Sequence, residues 1–523
     1  MCKPDRCSPI VLRHWPRNDQ HMTSKPQVLT LITLGAALMT APAQTTPSAQ
    51  AATDPPAPPT LSSTEQMIQD IKNPFSWLNW GADLRIRNEY YNNALSLGSG
   101  PTSGPFGPVH AQDYFRYRGR VWTSITPIEN LSLNARLAAE PREFMETSTF
   151  DTYFERDGMQ WRYGIIDNLN VKWKEPLDQQ MTVTVGRQDI FLGDGWLVGD
   201  GTPEDGSFTT FLDSARATYE LKDYHTTIDA IGIVQYARPD AWLPTIGPST
   251  TQGENPNAYL LTDQNEKGAI LWIANKSLPA ANVDAYFIYK HDSAINDYPA
   301  SIFSDNADIY TFGGRVSGWL DNHWDYSAEG AYQFGRKQYQ YNPPVTAPLD
   351  EDYHDLSAFG VNSKISYHFK DELNDQLSLS YEFLSGDNPG TKTDEMFDVL
   401  WGRWPQWSEM YNIYSYVNET RVGQTANLHR IGPTWSLTPM KDMQFSASYY
   451  ALFADQSVPT QATVPTAFTG TGNFRGHYLQ AILKYKFSKH MSAHLWGELL
   501  FPGDYYTSDQ LMTFLRAEVM FTF

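Results

Sequence analysis

Arginine recurs at alternate positions between residues 85 and 136 of the chain. Arg85 and Arg87 alternate with Leu84 and Ile86, Arg116, Arg118 and Arg120 with Phe115, Tyr117 and Val121, and Arg136 shares a face with Asn134. A guanidinium is planar and permanently charged, and it grips carboxylate or phosphate through paired hydrogen bonds. A row of them along one face of an extended segment would concentrate anions and speed their entry. By the same parity, Lys172, Arg216, Lys222, Lys290, Arg315, Lys364, Lys484, Lys486 and Arg516 extend the basic set. Asp83, Glu89, Glu140, Glu220, Asp229, Asp284, Glu329, Glu382, Glu498 and Glu518 oppose it. The competing reading is a bracing ladder, in which cross-strand Arg–Glu pairs each contribute about 0.2–1 kcal/mol to the wall. The Arg116, Arg118 and Arg120 run stands apart because its own segment supplies no acid on that face.

Other chemistries lack their residues. The sequence has no G-x-S-x-G elbow, H-E-x-x-H pair, P-loop or dinucleotide fingerprint. His323, His354, His429, His477 and His494 show no metal-ligand spacing, and the glycine-rich acids Asp194, Asp200 and Asp205 lack a calcium-loop pattern. Those three read as a solvated extracellular turn. No enzyme activity, cofactor or metal is expected.

The elements that carry these side chains alternate with period two, the mark of strands with one apolar and one polar face. In the last segment Leu515, Ala517, Val519, Phe521 and Phe523 share one face, and Arg516, Glu518, Met520 and Thr522 the other. Only residues 63–71 carry a helical stripe, formed by Met67, Ile68 and Ile71. Short polar turns at 127–130, 175–180, 223–225, 277–282, 321–323, 370–375, 438–443 and 488–491 take turns with long connections. The long ones lie at 91–113, 141–161, 189–213, 238–267, 291–308, 335–355, 385–426 and 454–476. Sorting of this kind predicts an all-β fold, a transmembrane antiparallel β-barrel of about 18 strands, with long extracellular loops and short periplasmic turns. Trp80, Trp173, Tyr236, Tyr326, Tyr367 and Tyr449 fall on its lipid-facing parity, where aromatic girdles belong.

Composition agrees once it is read by face. The 523 residues are 14% aromatic yet carry a formal charge of -20, with a mean hydropathy of -0.47. No apolar run reaches the length of a spanning helix, and the acidity argues against nucleic acid as a partner. Residues 1–43 read as a secretory signal peptide: Lys25, an apolar stretch from Val28 to Met39, then Ala41-Pro42-Ala43, with Met22 as an alternative start. Its removal takes five basic and two acidic residues, leaving -23, and takes both cysteines, Cys2 and Cys7. Residues 44–76 form a Pro/Ala/Thr-rich linker and a short periplasmic helix, and 77–523 the barrel. The parity assignment puts a modest excess of positive charge inside and leaves the surplus acid to loops, notably 194–205 and 350–355.

The segment from Gly186-Arg187-Gln188 through Gly193-Asp194-Gly195 to Phe211-Leu212-Asp213-Ser214-Ala215-Arg216 resembles the alginate-export family of outer-membrane barrels. That family carries a similar GRQ…GDG…FD…AR pattern; here Leu212 separates Phe211 from Asp213. The resemblance implies a monomeric barrel whose arginine-rich, anion-selective pore passes a uronate polysaccharide. Met181, Val183 and Val185 face lipid, so strict alternation would send Arg187 outward too, at a cost of roughly 2–4 kcal/mol near the midplane. A bulge at Gly186 that turns Arg187 inward would avoid this, and Arg187 is expected to pair with Asp213 near the constriction.

The expected partners are an anionic polysaccharide or small anionic solute, outer-membrane lipid, and periplasmic export machinery. Three functions stay open: export of an acidic, alginate-like polysaccharide; uptake of small anions or acidic oligosaccharides; and an enzyme or adhesin acting through the loops. The loop 385–426, with Trp401, Trp404 and Trp407, is long enough to fold over the mouth, its aromatics packing the loop against itself in preference to stacking on sugar faces.

Overall fold

The computed structural model describes residues 62–94, 111–145, 159–160, 164–199, 206, 210–238, 242–246, 261–262, 264–295, 306–338, 353–402, 405–414, 425–460 and 465–523. The expected signal peptide, most of the linker, Trp404, Asp200, Asp205 and the acids at 350–352 lie outside them.

The alternating segments form eighteen long strands. They are β1 (Leu78–Asn92), β2 (Ala111–Ile128), β3 (Leu131–Ala139), β4 (Ile165–Lys174), β5 (Met181–Gln188) and β6 (Leu212–Leu221). Then come β7 (Thr226–Gln235), β8 (Asn265–Leu278), β9 (Ala281–Ser293), β10 (Ala307–Trp319), β11 (Trp324–Gln338) and β12 (Tyr353–His368). The last are β13 (Gln376–Leu384), β14 (Leu428–Met440), β15 (Met443–Phe453), β16 (Phe474–Ser488), β17 (Met491–Pro502) and β18 (Met512–Thr522). Each pairs antiparallel with the next, and β18 returns to β1 in a register running from Asp83↔Thr522 to Asn92↔Thr513. The sheet is therefore closed and has no free edge.

Lipid-facing side chains are apolar and exposed: Leu84 and Ile86 on β1, Leu377 and Leu379 on β13, Leu515 and Phe521 on β18. Aromatics crowd one rim, where Trp173, Trp319, Trp324 and Phe487 end or begin strands at the short turns. The eight short turns fall where expected. The opposite end carries nine connections, one more than the sequence suggests: residues 503–511 between β17 and β18 are too short to stand out as a loop. Lys222 lies in the turn Lys222–Tyr224 rather than on a strand face.

The core sits inside the barrel, in its extracellular half. A helix, α1 (Ser63–Lys72), lies at the short-turn rim, its N-terminus capped by Ser62 Oγ accepting from Glu65 N at 3.2 Å. A second, α2 (Glu409–Tyr414), belongs to the loop between β13 and β14.

Candidate functional site: the charged lumen

Two loops fold into the barrel. After β5, the chain turns at Gly193 and Gly195 and sends Leu192, Trp196, Leu197 and Val198 against inward residues of β6–β13. After β13, Phe397, Val399, Leu400 and Trp401 join the same cluster. The loops hold each other: Trp401 N donates to Leu197 O at 3.0 Å, and Gly199 N to Trp401 O at 3.3 Å. The wall makes room for them, since a Cβ on Gly268 of β8 would lie 2.3 Å from the Trp401 ring. Trp401 Nε1 then donates to Glu266 at 3.0 Å, so the indole's one polar atom is satisfied in the core. Further along the same loop, Trp407 packs against Tyr411, Tyr450 and Tyr478. Trp407 meets Tyr411 of its own loop as expected, whereas Trp401 packs on the barrel wall and on the loop after β5 and not on its own loop alone.

The arginines line the wall opposite, from β18 through β1 and β2 to β3. Register brings Arg85 across from Arg118, Arg87 across from Arg116 and Glu518, and Glu89 across from Arg516. Each arginine has an acid. Arg85 Nη2 donates to Glu140 Oε2 at 2.7 Å, and Arg116 Nε to Glu140 Oε1 at 2.7 Å. Arg87 Nε donates to Glu518 at 2.6 Å, and Arg120 Nε to Asp83 at 2.8 Å, with Arg118 3.8 Å from Asp83. Glu89, fully buried, receives Arg116, Arg516 and the Tyr114 hydroxyl. Arg516 reaches on to Glu409 of α2 at 2.8 Å, which ties the inward loop to the ladder. The acid that the β2 arginines lack on their own strand comes from β1 and the residue after β3. Neighbouring strands decide that, and one strand's sequence does not reveal it.

The remaining basic candidates are also paired. Arg136 donates to Asp167 at 2.7 Å and to both oxygens of Asp189 at 2.9 and 3.0 Å. Arg216 donates to Asp229 at 2.7 Å. Arg315 donates to Asp194 at 2.6 Å and to Asp284 at 3.4 Å. Asp194 thus lies in the lumen and not in an extracellular turn; its side chain, 45% exposed, also accepts from Ser327 Oγ at 2.7 Å. Burial pushes its pKa up, but the hydrogen bonds from Arg315 and Ser327 outweigh that and hold the carboxyl below its ordinary value.

Arg187 and Asp213 do pair, through two bonds of 2.8 and 3.0 Å. Their setting differs from expectation. The registers of β4, β5 and β6 run unbroken through Gly186, so no bulge re-aims Arg187, which keeps the parity of exposed Val185. Gly186 is needed for another reason: at φ +122 a Cβ would sit 2.3 Å from Leu169 O. Burial comes instead from Phe211, whose ring centroid is 3.9 Å from the guanidinium, and from Trp242, which donates to Asp213 at 2.9 Å. The pair clamps the extracellular ends of β4–β6 and lies away from the cavity described next.

A cavity of about 1060 Å³ opens on the short-turn side, lined by residues of β2–β6 together with Asp83 of β1 and Met520 and Thr522 of β18. Its basic lining is Arg120, Arg136, Lys172, Lys174 and Arg216, against Asp83, Asp189 and Glu220. The arginines are engaged by acids, whereas Lys172 and Lys174 make no ion pair among the described residues, nor do Lys364, Lys484 and Lys486. The charge picture therefore changes from the parity reading. Among the described buried side chains acids outnumber bases, since Asp167, Glu266, Asp292, Asp394, Asp398 and Glu409 are interior as well. The vestibule lining carries five basic and three acidic side chains. Above it, Gly206 O accepts from Arg85 at 2.9 Å and from Arg118 at 3.1 Å, so the loop after β5 reaches across the lumen to the arginine wall. Sequence reasoning passed over Arg430 and Arg475. The first pairs with Glu382 at 3.1 Å on ordinary parity; the second lies at a register shift in β16 that hides it in a loop-like segment.

A closed eighteen-stranded antiparallel barrel with an apolar belt, a charged lumen and two inward loops is an outer-membrane channel of the Gram-negative envelope. Residues 76–518 match the model of the alginate export family, and the chain belongs to that family. No curated protein matches it in sequence. Among solved structures it is similar to OccAB1 of Acinetobacter baumannii, at 10% identity and a TM-score of 0.50 over 85% of this chain and 96% of that one. It is also similar to OccK8 (OprE) of Pseudomonas aeruginosa, at 10% identity and a TM-score of 0.49 over 85% and 98%. The family's description, alginate export, is a transport role.

Proposed function

We propose that this channel passes an acidic polysaccharide of uronate type outward across the outer membrane. The observation that carries the reading is the vestibule on the periplasmic side, where Lys172 and Lys174 face a cavity with no ion pair to either among the described residues. An anionic chain arriving there exchanges water for ammonium groups that already stand in a confined, low-dielectric mouth. The arginine ladder plays a different part in this account. Its guanidiniums are saturated by carboxylates, so they keep the wall rigid and give a passing polymer transient, exchangeable contacts. Membership of the alginate export family supports a polysaccharide substrate. The sequence carries no nucleotide-binding motif, and transport in this account is passive or driven from the periplasm.

A second reading, passage of small acidic solutes, is favoured by one observation: the inward loops narrow the lumen, with Gly206 O held against Arg85 and Arg118. Planar-bilayer conductance separates the two. Block by oligouronates at concentrations that leave monomeric uronate without effect supports the polymer; equal passage of monomer and oligomer supports the small solute.

A further inference from the structure

We propose that α1 is an interfacial membrane anchor, seated in the phospholipid headgroup layer of the periplasmic leaflet with its Met67–Ile71 face turned to lipid. At ten residues it is about 15 Å long, too short to span the membrane. Four contacts fix it to the barrel rim. Trp80 Nε1 donates to Ile71 O at 2.8 Å, and Asn79 Nδ2 to Asn73 Oδ1 at 2.6 Å. Glu65 pairs with Lys489 and with His490, both in the turn between β16 and β17. These contacts use the polar side of the helix and its C-terminal end.

The apolar side is left uncovered. Met67 is 56% exposed and Ile71 43%, followed by Phe75 at 55% and Trp77 at 46%. An apolar surface of this kind on a helix tied down at its other face calls for an occupant. Its position names one. Phe75 stacks on Trp77, with ring centroids 5.1 Å apart and planes within 1°, and Trp80 sits 5.2 Å from Phe523. The helix face is thereby continuous with the aromatic rim and with the lipid-facing Leu84, Ile86 and Phe521 of β1 and β18. Tryptophan and phenylalanine at that level belong to the membrane–water interface, and a short amphipathic helix beside them buries its apolar face among headgroups and upper acyl chains. Lys72, in the last turn, stands where a lipid phosphate can receive it.

The test uses the full chain with Cys2 and Cys7 replaced by serine, reconstituted in vesicles of phosphatidylethanolamine and phosphatidylglycerol. Nitroxide labels are placed one at a time through M67C, I71C, Q66C and D70C, all at surface positions. The labels at 67 and 71 are expected to collide several-fold more with oxygen, relative to an aqueous nickel chelate, than those at 66 and 70. Equal access to the chelate at all four positions overturns the proposal, placing the face in water. Labels at 67 and 71 that are immobile and shielded from both reagents overturn it too, because a protein partner or second copy would then cover the face. A further variant, M67E/I71E, checked for an intact barrel by its heat-modifiable gel mobility, should lose the lipid-dependent part of its thermal stability; an unchanged dependence contradicts the anchor.

Discussion

Glu89 is the carboxylate on which the arginine ladder closes, and its removal tests whether that ladder braces the wall. The substitution E89Q keeps the shape and removes the charge. In the native wall Glu89 is fully buried and faces Arg116 at 3.1 Å, Arg516 at 2.5 Å and Arg87 at 3.4 Å, with the Tyr114 hydroxyl at 2.7 Å. Hydrogen bonds to a charged group contribute about 1.5–3 kcal/mol each, but the amide retains part of each one, so the contributions do not add. The larger consequence is three guanidiniums that lose a shared counter-charge in a dry site. Breaking a buried pair from one side costs about 3–5 kcal/mol, or about two to four decades in the unfolding equilibrium. The control is D355N, which breaks the Arg336–Asp355 pair, 72% and 80% exposed, and should cost about 1 kcal/mol or less. Urea unfolding in lipid vesicles, followed by tryptophan fluorescence and heat-modifiable mobility, reads both. The quadruple variant E89Q/R116M/R516M/E409Q should recover much of the loss, because Glu140 keeps Arg85, Arg87 keeps Glu518, and the neutral residue at 409 no longer needs Arg516. If E89Q and D355N shift the midpoint equally, the ladder is hydrated and carries no bracing role.

Other perturbations follow from the same geometry. R187M should destabilise the barrel by about 3–5 kcal/mol through stranded Asp213 while leaving ion selectivity unchanged in bilayer recordings; altered selectivity would return Arg187 to the pore. W401A removes a fully buried side chain and its bond to Glu266. It should cost about 3–5 kcal/mol and raise single-channel conductance as the inward loops loosen; unchanged conductance would mean the loops do not limit flow. Asp194 has its pKa depressed by Arg315 and Ser327, so its contribution is fully present above the ordinary carboxylate range and is lost as pH falls through the lowered value. The conductance difference between the native chain and D194N should therefore persist from neutrality through the ordinary carboxylate range and close only as pH falls below it.

The barrel was legible in the sequence because its signal is periodic and local. Leu515 through Phe523 alternate without interruption, and long and short connections sort themselves by side. The ninth long connection escaped because residues 503–511 are hardly longer than a turn. Electrostatics were legible only in part. Parity correctly turned Arg85, Arg116 and Arg516 inward, but whether such a charge is free or neutralised depends on which strand lies beside it. Glu140 meets Arg116 across a sheet pairing, and Asp194 meets Arg315 through a loop that folds inside, so neither contact is written in nearby residues. Arg187 failed the simple rule for a related reason. Alternation describes where a side chain starts, while its burial here is set by Phe211 and Trp242 from outside the strand.

The central claim is that free lysines at the periplasmic mouth receive an acidic polymer. Its most direct measurement is oligouronate block of single channels, with the oligomer added separately to each side, for the native chain and for K172E/K174E. The account predicts block from the periplasmic side at low oligomer concentration, lost in the double variant while the open-channel conductance and barrel stability persist. Equal block of both proteins, or block from the extracellular side alone, would contradict it.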